Sequence, residues 1–347
     1  MNINVLSLFD GMSCGSLALD EAGIGVGTYY ASELDKYAIQ VAQDNYPDNV
    51  QLGDVTKWRE WGIDWGSIDL LIGGSPCQGF SFAGKQLAFE DPRSKLFFVY
   101  VEILNHIEER NPDVKFLLEN VRMKKEHMDV ISDYLDVEPV MINSALVSAQ
   151  NRVRYYWANW EFGQPEDKGI VLADVIEGAM RKKAKTLRVG GRGSPQGSKQ
   201  EGDGVETTKK PIRVGAVKKG SQGDRIYSEK GKSISLNAQS GGTAGAGNML
   251  VEKKSQTLLA TLYKENAKSM VKRKKKGLLV ASTDTDFGVY SKEDVHYRKL
   301  MPIECERLQT VPDEYTATVS NSQRFKMLGN GWTVNVIAHI LSAGFRT

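Results

Sequence analysis

Cysteine and histidine are scarce in this 347-residue chain, with three of the first and four of the second. Cys14, Cys77 and Cys305 are odd in number and far apart, which suits neither a disulfide framework nor a zinc cluster. Each is left as either a small buried hydrophobe or a reactive thiol, according to its neighbours. No apolar run reaches the ~20 residues of a membrane span. The opening MNINVLSLFD lacks a charged stretch followed by a long apolar one. A cytoplasmic protein with no membrane role is the expectation. Also missing is Gly-x-Gly-x-x-Gly after a strand, which argues against a nicotinamide-dependent oxidoreductase.

Net charge is small, at +2, but unevenly spread. Residues 181–276 hold 24 Lys/Arg against 7 Asp/Glu, so this segment carries +17 and leaves the remainder at −15. It is also rich in glycine. A basic segment on an acidic body points to a polyanion docking there, with a solvated linker as the plainer alternative.

The first 160 residues alternate strand and helix signals. Val5–Phe9, Thr28–Ser32, Asp69–Gly73, Phe116–Leu118 and Arg154–Trp157 read as strands. Helical patterns fall at Cys14–Ala22, Lys36–Asn45, Ser94–Glu109 and Glu126–Leu135, and Val334–Leu341 reads as a last helix returning to the first domain. This alternation predicts an α/β fold with a doubly wound, mainly parallel sheet, where ligands bind beyond the carboxyl ends of the strands. Those ends carry Asp10, Glu33, Pro76-Cys77 and Glu119. From about Lys182 the texture turns polar and Gly-rich, and fits short strands joined by glycine turns.

Several constellations at these ends carry chemistry. Phe9-Asp10-Gly11-Met12-Ser13-Cys14-Gly15 puts glycines where backbone can approach a ligand, followed by the free N–H groups of a helix start. Glu33 ends the second strand, where an acid accepts from ribose hydroxyls, and Asp54 would end a third and accept from an adenine amino group. Each acid alone reads as a cap; at successive strand ends they favour an adenosine-containing cofactor. In Gly73-Gly74-Ser75-Pro76-Cys77-Gln78 a proline fixes the backbone and lifts the thiol toward the crevice, where a lowered pKa makes a nucleophile. Glu119-Asn120-Val121 offers a partly buried, protonatable carboxyl. In Gln150-Asn151-Arg152-Val153-Arg154 the two arginines have the period of a strand, so both can point to one face. A thiol, a carboxyl and two arginines around a nucleoside crevice describe covalent chemistry on an electron-poor ring.

These motifs, together with Arg298–Gln309 and Gly329-Asn330-Gly331, stand in the order of the cytosine-C5 DNA methyltransferases. The chain resembles that family over roughly 1–160 and 297–347. The resemblance implies a Rossmann-like methyltransferase sheet, S-adenosylmethionine as methyl donor and no metal. It implies that Cys77 attacks C6 of a cytosine flipped out of the duplex. Glu119 would face the N3 and amino side, Arg154 the O2 side, and Arg152 would lie near the thiol and phosphate. Cofactor contacts would come from Phe9 and Leu34 around the adenine, Glu33 on the ribose, Asp54 and Val55 at the adenine edge, and Asn330 near the methionine end. Asp10, Gly11, Ser13, Cys14, Gly15 and Pro76 complete that set. Gln78–Arg93 resembles the loop that closes over DNA, with Gln78, Ser81, Lys85 and Arg93 as contacts. Two departures stand out. Phe-Asp-Gly replaces the Phe-Ala-Gly of many bacterial members, and Gly331-Trp332 replaces a more usual Ser-Val.

The resemblance divides the chain into a catalytic and cofactor-binding domain at 1–165 and a smaller, mostly β or irregular target-recognition region at 166–296. A connecting segment at 297–317 leads to a C-terminal segment, 318–347, that returns to the catalytic domain. The basic region would meet phosphates with a steep salt dependence, and Gln222 and Arg225 are candidate contacts within it. The expected partner is double-stranded DNA, bound by a monomer in the cytoplasm, with a cognate restriction endonuclease as a candidate second player. Two other readings share the fold. One is a tRNA cytosine-C5 methyltransferase. The other is an inert DNA-binding regulator, which has no need of Cys77, Glu119 and Arg154 together.

Overall fold

The computed structural model describes residues 2–75, 95–176, 211, 213–216, 225–227, 231–234, 249–253 and 295–345. Strand β1 (Ile3–Leu8) is an interior strand, third of seven, in the main sheet. Parallel to it on either side run β2 (Val26–Ser32) and β4 (Leu70–Gly73). Beyond β2 comes β3 (Val50–Gln51). Beyond β4 come β5 (Lys115–Val121), β8 (Val153–Ala158) and the edge strand β6 (Val140–Asn143), giving the order β3-β2-β1-β4-β5-β8-β6. β8 runs antiparallel to both of its neighbours, so the sheet is mixed at that end.

The strands are apolar runs because both faces are covered. Side chains alternate between faces, and the core divides accordingly. Val5, Leu70, Ile72 and Leu117 pack on one face, with α1 (Cys14–Glu21) and the last helix, α8 (Val334–Gly344). Leu6, Leu8, Leu71, Phe116 and Leu118 pack on the other, with α3 (Lys95–Glu108) and α4 (Lys125–Leu135). Helix α2 (Lys36–Asn45) begins where the Asp35 carboxylate accepts from the Tyr37 N–H at 3.0 Å. Strand order reverses between β1 and β4, which opens a crevice at their carboxyl ends.

After α5 (Leu172–Val175), a second sheet has the order β13 (Val295–Lys299), β12 (Met249–Lys253), β10 (Arg225–Tyr227), β9 (Arg213–Ala216). β13 runs across the expected boundary at 296. This region is fastened to the first sheet's surroundings by β11 (Ser233–Ile234), which pairs in parallel with β7 (Gln150–Asn151). Beside it, the buried Lys232 ammonium donates to the carbonyls of Ala145 at 2.8 Å, Ser148 at 3.1 Å and Ile170. Helices α6 (Pro302–Leu308) and α7 (Asn321–Asn330) then lead back to the first sheet. The Tyr315 hydroxyl reaches the Met12 carbonyl at 2.8 Å, and the Trp160 indole reaches that of Ile340 at 3.0 Å.

Two expectations need revising. Residues 150–154 are not one strand, because the chain breaks between β7 and β8 at Arg152. There its N–H donates to the Asn143 side chain at 3.0 Å and its carbonyl accepts from the Ser144 N–H at 2.9 Å. Asp54 does not end a strand either. β3 stops at Gln51, and Asp54 caps a 3₁₀ turn over Val55–Glu60.

Gly15 sits where α1 presses on the sheet: an added Cβ would stand 2.4 Å from the Tyr29 hydroxyl oxygen and 2.6 Å from Ile72 Cδ1. Gly15→Ala is therefore expected to destabilise the fold by about 2 kcal/mol, as overpacked cores do. Urea unfolding checks this, and an unchanged midpoint would contradict the packing described.

Candidate active site

Between β1 and α1, Phe9 (φ 58°), Gly11 (φ 64°) and Ser13 (φ 60°) take left-handed backbone conformations. Glycine does so at little cost; Phe9 and Ser13 must be held there. Asp10 is the holding group. Its buried carboxylate accepts from the Ser13 hydroxyl at 2.6 Å and the Tyr29 hydroxyl at 2.7 Å. Burial raises the Asp10 carboxyl above the usual range, with those hydrogen bonds opposing the shift. The turn leaves the Gly11 N–H pointing at Glu33 Oε2, at 2.8 Å. Glu33 Oε1 accepts from the N–H groups of Leu34 at 2.7 Å and Asp35 at 2.8 Å, so three backbone donors fix this carboxylate at the ends of β1 and β2.

Leu34, beside it, is 69% exposed, and a Cβ added at Gly11 or Gly53 would meet nothing within 4 Å. Asp54 Oδ1 accepts from the Thr56 N–H at 2.9 Å and its hydroxyl at 2.8 Å, which lowers its pKa; Oδ2 has no partner among the described residues. Fixed carboxylate oxygens, an uncovered apolar side chain and open space fit a nucleoside, with acceptors for hydroxyl and amino groups and Leu34 for a ring face. Phe9, just past β1, is half-buried, and Val55, first in the 3₁₀ turn, is buried. Asp10, Ser13, Cys14 and Gly15 instead turn their side chains or Cβ directions into the body of the protein.

Across the switch point, Glu119 near the end of β5 is buried and paired with Arg154, Oε1 to Nε at 2.8 Å. Its Oε2 accepts from the Trp332 indole at 3.3 Å. Asn120 donates to the Ser75 hydroxyl at 3.2 Å, tying the end of β5 to the residue before Pro76. Arg152 is buried and grips the return turn: its guanidinium donates to the carbonyls of Gly329 at 3.2 Å and Gly331 at 3.0 Å. The two arginines thus converge on one region with different partners. Asn330 is exposed at the end of α7.

Sequence reasoning passed over the supports of this turn. The Gln309 amide donates to the carbonyls of Leu328 at 2.6 Å and Gly331 at 3.2 Å, and its oxygen accepts from Thr333 at 2.9 Å. Glu306, fully buried, receives Arg324 at 2.9 Å, the N–H groups of Thr316 at 2.9 Å and Glu314 at 2.8 Å, and the Thr316 hydroxyl. Their signal was present: Glu306 and Gln309 are polar residues three apart, flanking the buried Leu308.

Pro76, Cys77, Gln78, Ser81, Lys85, Arg93 and Gln222 lie outside the described residues, and Arg225 is placed only as a position in β10. The other two cysteines are described. Cys14 is buried and its thiol pushed up to about 12; Cys305 is buried and pushed up further, by burial and by Glu304 and Glu306. Neither is a nucleophile at neutral pH, so the reading of a reactive thiol rests on Cys77. Among the described residues no group of three or more His, Cys, Asp or Glu could hold a metal ion.

A model of the C-5 cytosine-specific DNA methylase family matches residues 3–346. The type II methyltransferase M.HhaI of Haemophilus parahaemolyticus is 29% identical over 359 residues, covering 97% of this chain and 93% of the relative. The type II methyltransferase M1.ScrFI of Lactococcus lactis subsp. cremoris is 29% identical over 326 residues, covering 90% and 70%. Among solved structures, a DNMT2 mutant of Spodoptera frugiperda is 18% identical with TM-score 0.60, covering 99% of this chain and 100% of that one. The methyltransferase EhMeth of Entamoeba histolytica is 13% identical with TM-score 0.62, covering 99% and 98%. These structural likenesses show a shared fold.

In Cys77→Ser the remaining thiols are Cys14 and Cys305. This variant is expected to leave Ellman's reagent unreacted in the native state at about pH 8, and to react twice per chain once denatured. Rapid native labelling would contradict the burial of Cys14 or Cys305.

Proposed function

The chain belongs to the C-5 cytosine-specific DNA methylase family, and from that premise we propose how it works: Cys77 adds to C6 of a flipped cytosine, and C5 is methylated from S-adenosylmethionine. The observation that carries this reading is the Glu119–Arg154 pair, closed at 2.8 Å. It is linked through Asn120 and Ser75 to the start of the Pro76-Cys77 turn.

Cytosine C5 is a poor nucleophile until a group adds at C6. The Cys77 thiolate forms the S–C6 bond, and the electron pair of the C5–C6 double bond moves toward C5 and the ring's N3 side. Glu119 faces N3 and the amino group: in its acid form it donates to N3, where the charge develops, and accepts from the amino group. Arg154, which holds Glu119, faces the O2 side. Arg152 holds the turn that carries Trp332, through the Gly329 and Gly331 carbonyls. S-adenosylmethionine, when bound, supplies an electrophilic methyl group. Glu33, Asp54, Val55, Phe9, Leu34 and Asn330 would hold it, with Gly11 leaving it room. Loss of the C5 proton to solvent then breaks the S–C6 bond, restores the aromatic ring and returns the thiolate.

Extruding the base costs a few kcal/mol, which contacts to the duplex must offset. The +17 of residues 181–276 suits that task. Residues 166–296 accordingly form the target-recognition region and 1–165 the catalytic domain, with 318–347 returning to it. Gln78, Ser81, Lys85, Arg93, Gln222 and Arg225 are proposed DNA contacts. No helix of the described residues is long and apolar enough to cross a membrane. The type II names of the relatives support a short fixed target, a cognate restriction endonuclease and a cytoplasmic setting, and a monomer suffices for a chain carrying its own recognition region.

The test is methyl transfer from labelled S-adenosylmethionine to DNA, followed by bisulfite sequencing. Wild type is expected to modify one short sequence context. Cys77→Ser is expected to lose about a thousandfold or more in rate, and Glu119→Gln about a hundredfold. Label entering tRNA but not DNA, or full activity in Cys77→Ser, would overturn the reading.

A further inference from the structure

Glu119 has a second partner that this mechanism leaves without a task. Arg154 takes Oε1, and the Trp332 indole Nε1–H points at Oε2 from 3.3 Å. The indole is seated from both sides in the chain. The Gly331 carbonyl is held by Arg152 and Gln309, and the Thr333 hydroxyl is bonded to Gln309 and to Ser144 at 2.8 Å. Opposite, Gly74 passes close: an added Cβ would stand 3.0 Å from Trp332 Nε1 and 3.1 Å from Glu119 Oε2. Three distant segments therefore meet at one carboxylate oxygen, and the segment carrying Gly74 continues to Cys77 three residues later.

We propose that Trp332 is a positioning residue for Glu119, fixing the plane of its carboxylate so that Oε2 meets the amino side of the target cytosine in a set orientation. The inference rests on the reading of Glu119 as the base-facing carboxyl. A glutamate's terminal torsion is broad, and Arg154 on one oxygen leaves part of that freedom. A second N–H donor on the other oxygen removes it. An indole nitrogen only donates, so it cannot compete for the base's own N–H groups, and Oε2 keeps a lone pair for them. At 3.3 Å the bond is longer than the usual N–H···O contact, so it orients the carboxylate without using up the acceptor capacity of Oε2.

The full chain labelled with ¹⁵N-tryptophan carries six indole resonances; the one missing from Trp332→Phe identifies Trp332. That resonance is expected to move in Glu119→Gln, which keeps the side chain's shape. In turnover with unmethylated plasmid DNA, Trp332→Phe is expected to lower kcat about tenfold, the scale of one hydrogen bond to a charged group, with KM for DNA and for cofactor within about twofold. A Trp332 resonance unmoved in Glu119→Gln overturns the proposal. So does a loss of kcat in Glu119→Gln unaccompanied by one in Trp332→Phe, which sinks the positioning role alone. Unchanged turnover in Glu119→Gln overturns the role of Glu119 itself, and this proposal with it.

Discussion

Two buried donors, the Arg152 guanidinium and the Gln309 amide, meet at the carbonyl of Gly331, at 3.0 and 3.2 Å. Through that oxygen the last part of the chain is brought back across the strand ends of the first sheet. Gly329, Asn330 and Trp332 take their places from it, and so do the indole at Glu119 and the exposed amide of Asn330. Two donors on one partly buried carbonyl hold the return turn in place. Gly331 itself is closely packed, with an added Cβ 3.1 Å from both the Met327 carbonyl oxygen and Met12 Cε and 3.3 Å from Cys14 Sγ.

Polar groups in the interior do the same job elsewhere. The Glu306–Arg324 pair, with the Glu314 and Thr316 N–H groups, organises the segment between α6 and α7. Lys232 binds three carbonyls where the chain beside β11 meets the surroundings of the first sheet. Such buried ions are weak sources of stability in themselves; what they fix is the geometry of the backbone they bind. The turn between β1 and α1 follows the same logic, with buried Asp10 fixing the backbone so that Glu33 is presented on three N–H groups.

Much of this was legible from residues. Buried strands announce themselves as apolar runs, and the capping Asp35 marks the start of α2, which runs over Lys36–Asn45 as its pattern suggests. The order of motifs along the chain named the family. What was hidden depends on partners distant in sequence or on backbone detail. The break at Arg152 is made by the Asn143 side chain, which a period of two in the arginines cannot reveal. A strand end and a 3₁₀ cap both favour an acid after a glycine, so Asp54 read as the first and is the second. Trp332 and Glu119 are 213 positions apart, and nothing local links them.

The central claim is that Cys77 becomes covalently bound to C6 of the cytosine it methylates. Replacing cytosine with 5-fluorocytosine in the recognised duplex removes the C5 proton whose loss releases the enzyme, so the adduct should persist. Incubation with S-adenosylmethionine, denaturation, digestion and mass spectrometry are predicted to find DNA attached to the peptide that contains Cys77. No adduct on a duplex that is methylated in its unsubstituted form, or an adduct at Cys14 or Cys305, would contradict the account.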